Sequence, residues 1–145
     1  MAGYSFKLEK VLNYKEKVED IKKAELAERN RRLYVEEERL LFFNNHKENI
    51  LSRKKSTQNA SVGEYKLYSS YINDLSNIIK NQKKLVADAK DEVDKAKEEL
   101  IVAMQERKSF ERLKEIQYEE YLIDLKKREE KLLDGIVTYK TNTRQ

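Results

Sequence analysis

The residues able to do acid–base or metal chemistry are quickly surveyed. The chain holds 27 Asp and Glu, 31 Lys and Arg, one His and no Cys in 145 residues. Without Cys there is no thiolate catalysis, no Cys-ligated zinc and no disulfide. His46 stands beside Asn44, Asn45 and Lys47, none of them an obvious ligand or base partner, and reads as a solvated surface residue. The carboxylates are numerous enough for general acid–base pairs. They alternate with Lys and Arg at helical spacing, which reads as surface ion pairing. Gly3, Gly63 and Gly135 are isolated and cannot form a phosphate-cradling loop. A two-helix hairpin also offers no concave pocket for catalysis. No catalytic residue, no metal site and no cofactor is expected, and the chain reads as a non-enzyme.

Two basic clusters, Arg53 to Lys55 and Lys126 to Arg128, offer phosphate contacts. The second runs directly into Glu129 and Glu130, and the net charge is only +4. Solvated faces account for both clusters, so no nucleic-acid partner is expected. A nucleic-acid-binding hairpin arm is a second alternative. Its affinity would fall steeply with salt. Nine tyrosines are the other unusual feature. Tyr65 and Tyr68 fit core packing. Phe42 and Tyr71 fall off the apolar seam, balanced between a binding patch and partial packing against the neighbouring helix.

The elements follow from what is missing. With no Pro and three Gly, turns must be few, and long helices are favoured over sandwiches, barrels or βαβ units. From Tyr65 the apolar residues recur by threes and fours through Ile72, Ile79, Val86, Val93 and Leu100 to Phe110, broken only at Gln82 and Arg107. That is the heptad seam of a left-handed supercoil. Ala89, Ala96 and Ala103 on it permit a close partner helix. The first half is looser. Val11, Tyr14, Val18 and Ile21 form one stripe, and Leu26, Leu33, Leu40, Phe43 and Ile50 a second in another register. A stutter near Ala24 to Leu26 is expected, with Arg29, Glu36 and Lys47 interrupting the second stripe.

The stretch 56–63 is small, polar and uncharged, and Ser61 with Glu64 reads as a capping box. These signals predict an all-α antiparallel coiled-coil hairpin, a single domain over 1–145. Its helix one covers about 7–57, the turn about 58–61 and helix two about 62–134. Gly135 is expected to cap helix two, leaving 135–145 as a tail frayed from 140. Folding about residue 60 pairs 60−k with 60+k, so helix one runs out opposite about Leu113. Helix two then projects, yet it carries Ile116, Tyr118, Tyr121, Leu122, Ile123, Leu125, Leu132, Leu133 and Ile136. An exposed apolar stripe marks an interaction site. Docking into another protein or a second copy of the chain is expected.

No run of 18 apolar residues exists, so no direct membrane insertion is expected. The first 14 residues lack the apolar core of a secretory signal, and a cytoplasmic location is expected.

Residues 6–16 (FKLEKVLNYKE), 64–75 (EYKLYSSYINDL), 82–85 (QKKL) and 107–115 (RKSFERLKE) together resemble the bacterial flagellar export family FliJ in order and spacing, across nearly the whole chain. The resemblance implies a non-enzymatic, central-stalk-like rod of the flagellar type III export apparatus. Such a rod binds and stimulates the hexameric export ATPase and links it to the export gate and to export chaperones. The location implied is cytoplasmic, peripherally associated with the inner face of the membrane at the flagellar base. Carried onto this chain, the ATPase-binding pole comprises Phe6, Leu8, Val11, Arg107, Phe110, Leu113, Tyr118, Tyr121 and Leu125. The patch for the gate's cytoplasmic domain comprises Phe42, Phe43, Tyr68, Tyr71, Leu75, Ile78 and Gln82. The main alternative is a generic cytoplasmic coiled-coil scaffold or tether with no ATPase partner.

Overall fold

The computed structural model describes residues 3–56 and 61–143. Helix α1 spans Glu9–Ser56 and α2 spans Val62–Thr143. They form an all-α hairpin in which the second helix is the longer. The turn expected at about 58–61 lies outside the described residues except for Ser61.

Helix α1 opens where Glu9 N–H donates to the Phe6 carbonyl at 3.2 Å and Leu12 N–H to that of Leu8 at 2.9 Å. Glu9 in the first turn and Arg53, Lys54 and Lys55 in the last turn complement the helix dipole. The first basic cluster therefore has a local structural role. Helix α2 opens on Ser61, whose Oγ accepts Glu64 N–H at 3.2 Å. The Ser61 carbonyl accepts Tyr65 N–H at 3.1 Å. One orphan donor of the first turn is thereby satisfied.

The other end of α2 departs from expectation. Gly135 has no positive φ, so it is an ordinary helical residue and not a cap. The helix continues to Thr143. Thr138 and Thr141 donate their hydroxyls to the carbonyls of Asp134 and Val137, each at 2.8 Å. These bonds occupy the hydroxyls without breaking the backbone ladder.

The chain divides into two compact units, one of residues 1–20 with 102–145 and one of 21–101. In the second unit the α2 seam is as read from Tyr68 onward, whereas Tyr65, expected to pack in the core, is exposed. Leu75, Ile79, Val86, Ala89, Val93 and Ala96 are buried, and Gln82 is buried with them. The Gln82 side-chain amide donates to the Glu36 carbonyl at 2.9 Å and to its carboxylate, which makes its burial tolerable.

The face of α1 differs from the sequence reading. One heptad series of covered positions runs Leu12, Lys15 and Glu19 in the first unit, where Val11 and Val18 of the expected stripe are half-buried beside it. In the second unit the covered positions run Lys22, Leu26, Arg29, Leu33, Glu36, Leu40, Phe43, Lys47 and Ile50. The steps alternate four and three within each unit, and the second unit has no stutter near Ala24 to Leu26. Tyr14 and Ile21, taken above as seam residues, are 62% and 56% exposed. Charged side chains occupy the seam at seven-residue intervals, and that hid it. Lys15 pairs with Glu106 at 2.9 Å in the first unit, and Lys22 with Glu99 at 3.1 Å in the second. Arg29 approaches Glu92 at 3.9 Å, and Arg32 pairs with the same carboxylate at 3.4 Å. Each rung moves one heptad along α1 and one heptad back along α2, as an antiparallel pair requires. Arg29 lines the same surface crevice as Ala96. The small α2 residue leaves room for a long stem to lie across the seam with its charge at the rim. Exposed pairs of this kind are screened by solvent and contribute little, so the apolar layers carry the packing and the pairs fix register.

Candidate functional site

In the first unit the segment before α1 extends the pairing. Tyr4 donates its hydroxyl to the Lys114 carbonyl at 3.2 Å. Its ring lies 5.1 Å from Tyr118, edge to face, and 5.5 Å from Tyr121. Lys114 Nζ pairs with Glu9 at 2.9 Å. Its ammonium is held above the ordinary value of 10.5, chiefly by the Glu9 hydrogen bond, against a smaller opposing cost of burial. Coverage therefore does not stop at Leu113, as expected from the sequence. It reaches Tyr121 through a residue the sequence reading passed over. Folding about residue 60 sets Tyr4 opposite 116, two positions from Tyr118, which was the available signal.

The Arg107 guanidinium hydrogen-bonds the Glu19 carboxylate and meets Glu111 at 2.8 Å. Those bonds, Glu111 first, hold it above its ordinary value. Glu19 is buried, so this pairing is what makes a seam carboxylate tolerable.

Beyond Leu125 every described residue of α2 is exposed. Leu132, Leu133, Ile136, Val137 and Tyr139 are all more than half exposed. Val137 and Tyr139 were missed because Gly135 was read as the helix end. Leu132, Gly135, Ile136 and Tyr139 line one shallow hollow, flanked by Lys131 and Lys140. Apolar side chains in a groove rimmed by cations suit a protein surface carrying apolar knobs and carboxylates.

All nine residues carried over for ATPase contact lie in this unit. Phe6 is buried and Arg107 is engaged in ion pairs, so both set the shape of the pole. Leu8, Val11, Phe110, Leu113, Tyr121 and Leu125 are half-buried, and Tyr118 is exposed.

In the second unit His46 is not a plain solvated residue. Its Nε2 lies 2.7 Å from the Tyr71 hydroxyl. The Phe42 ring stacks on the imidazole with centroids 6.2 Å apart, and Phe43 meets Phe42 edge to face at 5.7 Å. The result is an aromatic cluster with Phe42 64% exposed at its centre. His46 lies four residues after Phe42, one helical turn away, and that spacing was a readable signal. The seven residues carried over for gate contact all belong to this unit. Phe42, Tyr71 and Ile78 are exposed, and Phe43 and Tyr68 are half-buried. Leu75 and Gln82 are buried between the helices and act as supports.

Among the described residues no group of three or more His, Asp or Glu is placed to hold a metal ion. No described helix is long and apolar enough to cross a membrane. The arrangement provides surfaces for protein contact.

Comparison with known proteins agrees with this architecture. Comparison with curated proteins returns no match. A solved structure of CT670 from Chlamydia trachomatis, described as a candidate YscO homologue, superposes with a TM-score of 0.76 at 20% identity, covering 99% of each chain. At that identity the likeness speaks for the fold. The sequence model described as flagellar FliJ protein matches residues 4–145. The chain therefore belongs to the flagellar FliJ protein family, components of the flagellar type III protein export apparatus.

Proposed function

We propose that this chain is a non-enzymatic, central-stalk-like component that binds and stimulates the hexameric export ATPase through its first unit. Its second unit engages the cytoplasmic domain of the export gate and export chaperones. It acts in the cytoplasm, peripherally at the membrane beneath the flagellar base. The supporting observation is the apolar run of α2 beyond Leu125, which no part of the described chain covers. An isolated helix gains little from propensity alone and is stabilised when its apolar face is covered. Apolar residues on several sides of one helix favour an enclosing channel over a flat surface, and a ring of ATPase subunits offers one. The chain contributes no group to hydrolysis. Its part is mechanical: it couples the ring to the gate.

Co-purification tests this reading. The full chain should be retained by the cognate export ATPase, and a chain ending at Arg112 should not. Phe42→Ala with Tyr71→Ala should leave ATPase retention intact and weaken retention by the gate domain. Failure of the full chain to co-purify with the ATPase rejects the proposal.

A further inference from the structure

The end of α2 carries a second heptad stripe, distinct from the one facing α1. Tyr118, Leu122, Leu125, Leu132, Ile136 and Tyr139 follow steps of four and three, with Glu129 at the one polar position. The intramolecular seam ends on Phe110, Lys114, Gln117 and Tyr121. The second stripe is displaced from it by one residue, which is about 100° around the helix. Tyr118 packs on Tyr4 and Leu125 is half-buried, and Leu122, Leu132, Ile136 and Tyr139 are left open. Leu132 and Tyr139 are 67% and 70% exposed.

A heptad stripe is shaped for another helix. We infer that its occupant, in the absence of other proteins, is the same stripe of a second copy, paired antiparallel about a two-fold axis between Glu130 and Lys131. The inference goes beyond the ATPase reading and does not rest on it.

Charge selects this orientation and register. A parallel pair would stack Glu129 on its own copy inside the seam, burying two like charges. In an antiparallel pair each flank of the stripe meets the same flank of the other helix. With the axis between Glu130 and Lys131, Leu125 packs on Ile136 of the second copy and Leu122 on its Tyr139. On the flanks, Glu119 then meets Lys140 of the second copy. Two-fold symmetry repeats each of these contacts. The Arg128 side chain falls opposite Gly135, where a Cβ would have nothing within 4 Å and space is free. Sliding the pair by one heptad brings like charges together in either direction. One slide sets Lys126 against Lys126 and Arg128 against Arg128. The other sets Lys126 against Lys140. A slide of two heptads in one direction sets Leu132, Ile136 and Tyr139 against Glu115, Glu111 and Lys108, and in the other leaves Leu122 and Leu125 uncovered. The favoured register is thus bounded by repulsive ones, the usual way flanking charges specify pairing.

Such a dimer covers the residues that the first unit would present to an export ATPase. Self-association and ATPase docking then exclude each other, and free chain is held in a masked state until the partner displaces the second copy.

Sedimentation equilibrium of the full chain over a concentration series reads the association directly, without the ATPase. Dimer should form, and Glu119→Lys or Lys140→Glu alone should weaken it roughly tenfold by turning two attractions into repulsions. The double variant Glu119→Lys, Lys140→Glu should restore it. Because the chain has no Cys, orientation can be read by oxidation. Chains with Glu119→Cys should cross-link to chains with Lys140→Cys, and neither variant should cross-link by itself. A monomer at every concentration overturns the inference. So does a dimer indifferent to the charge swap, or one in which Glu119→Cys chains cross-link among themselves. Amide protection of residues 132–139 that arises only with the ATPase assigns the stripe to that partner alone and likewise overturns it.

Discussion

Replacing Gly135 by Ala separates two incompatible accounts of how α2 ends. If Gly135 closed the helix in a left-handed conformation, a Cβ would be penalised by roughly 1–2 kcal/mol, and Ala would shorten or fray the end. In the structure the residue has no positive φ, and an added Cβ meets nothing within 4 Å. Only the backbone term then remains. Gly in a helix interior costs about 1 kcal/mol relative to Ala, so Gly135→Ala should favour the helical end by that amount. About 1 kcal/mol corresponds to roughly a fivefold change in an opening equilibrium. Hydrogen exchange read residue by residue is the right assay, because the end of α2 opens locally without unfolding the rest. Amides of residues 136–143 should exchange about fivefold more slowly in the variant, with the buried α2 seam around Val86 and Val93 unchanged. Faster exchange over 136–143, or a loss of helical circular dichroism, would refute the continuous helix and restore Gly135 as a cap.

Further expectations concern the seam and its ion pairs. Leu12 is 3% exposed, so Leu12→Ala should cost about 2 kcal/mol or more by chemical denaturation. Ile21→Ala and Tyr14→Ala, on the solvated side, should stay within about 0.5 kcal/mol, and the reverse order would mean that α1 packs by its other stripe. The Lys114–Glu9 pair predicts a pH effect of known sign. A raised ammonium pKa gives stabilisation that is complete below the ordinary 10.5 and is lost as pH rises through the higher folded value. Glu9→Gln should bring the Lys114 titration, followed by NMR, down toward the ordinary value, and an unchanged titration would contradict the pairing.

Much of the fold is legible from α2, whose seam consists of apolar residues at an average spacing of 3.5, and from Ser61, whose hydroxyl has one obvious task. Helix α1 is harder for a physical reason. Its seam places Lys15, Lys22 and Arg29 where apolar residues are sought, because each reaches a carboxylate on α2. A search for apolar periodicity then settles on Tyr14 and Ile21, which face water. Gly135 is ambiguous in sequence because Gly serves equally as a cap or as a tolerated helical residue, and only φ separates the two. Of the docking surfaces, the apolar run of 116–136 could be read from composition. The Tyr4 contact and the His46–Tyr71 bond depend on which faces meet, and that requires the register.

The most direct measurement of the central claim is the hydrolysis rate of the cognate export ATPase titrated with this protein. The full chain should raise the rate saturably, and a chain ending at Arg112 should fold as a helical hairpin with no effect on it. A rate unchanged by the full chain, or equally raised by the truncated one, would contradict the assignment of the uncovered end of α2 as the ATPase-binding element.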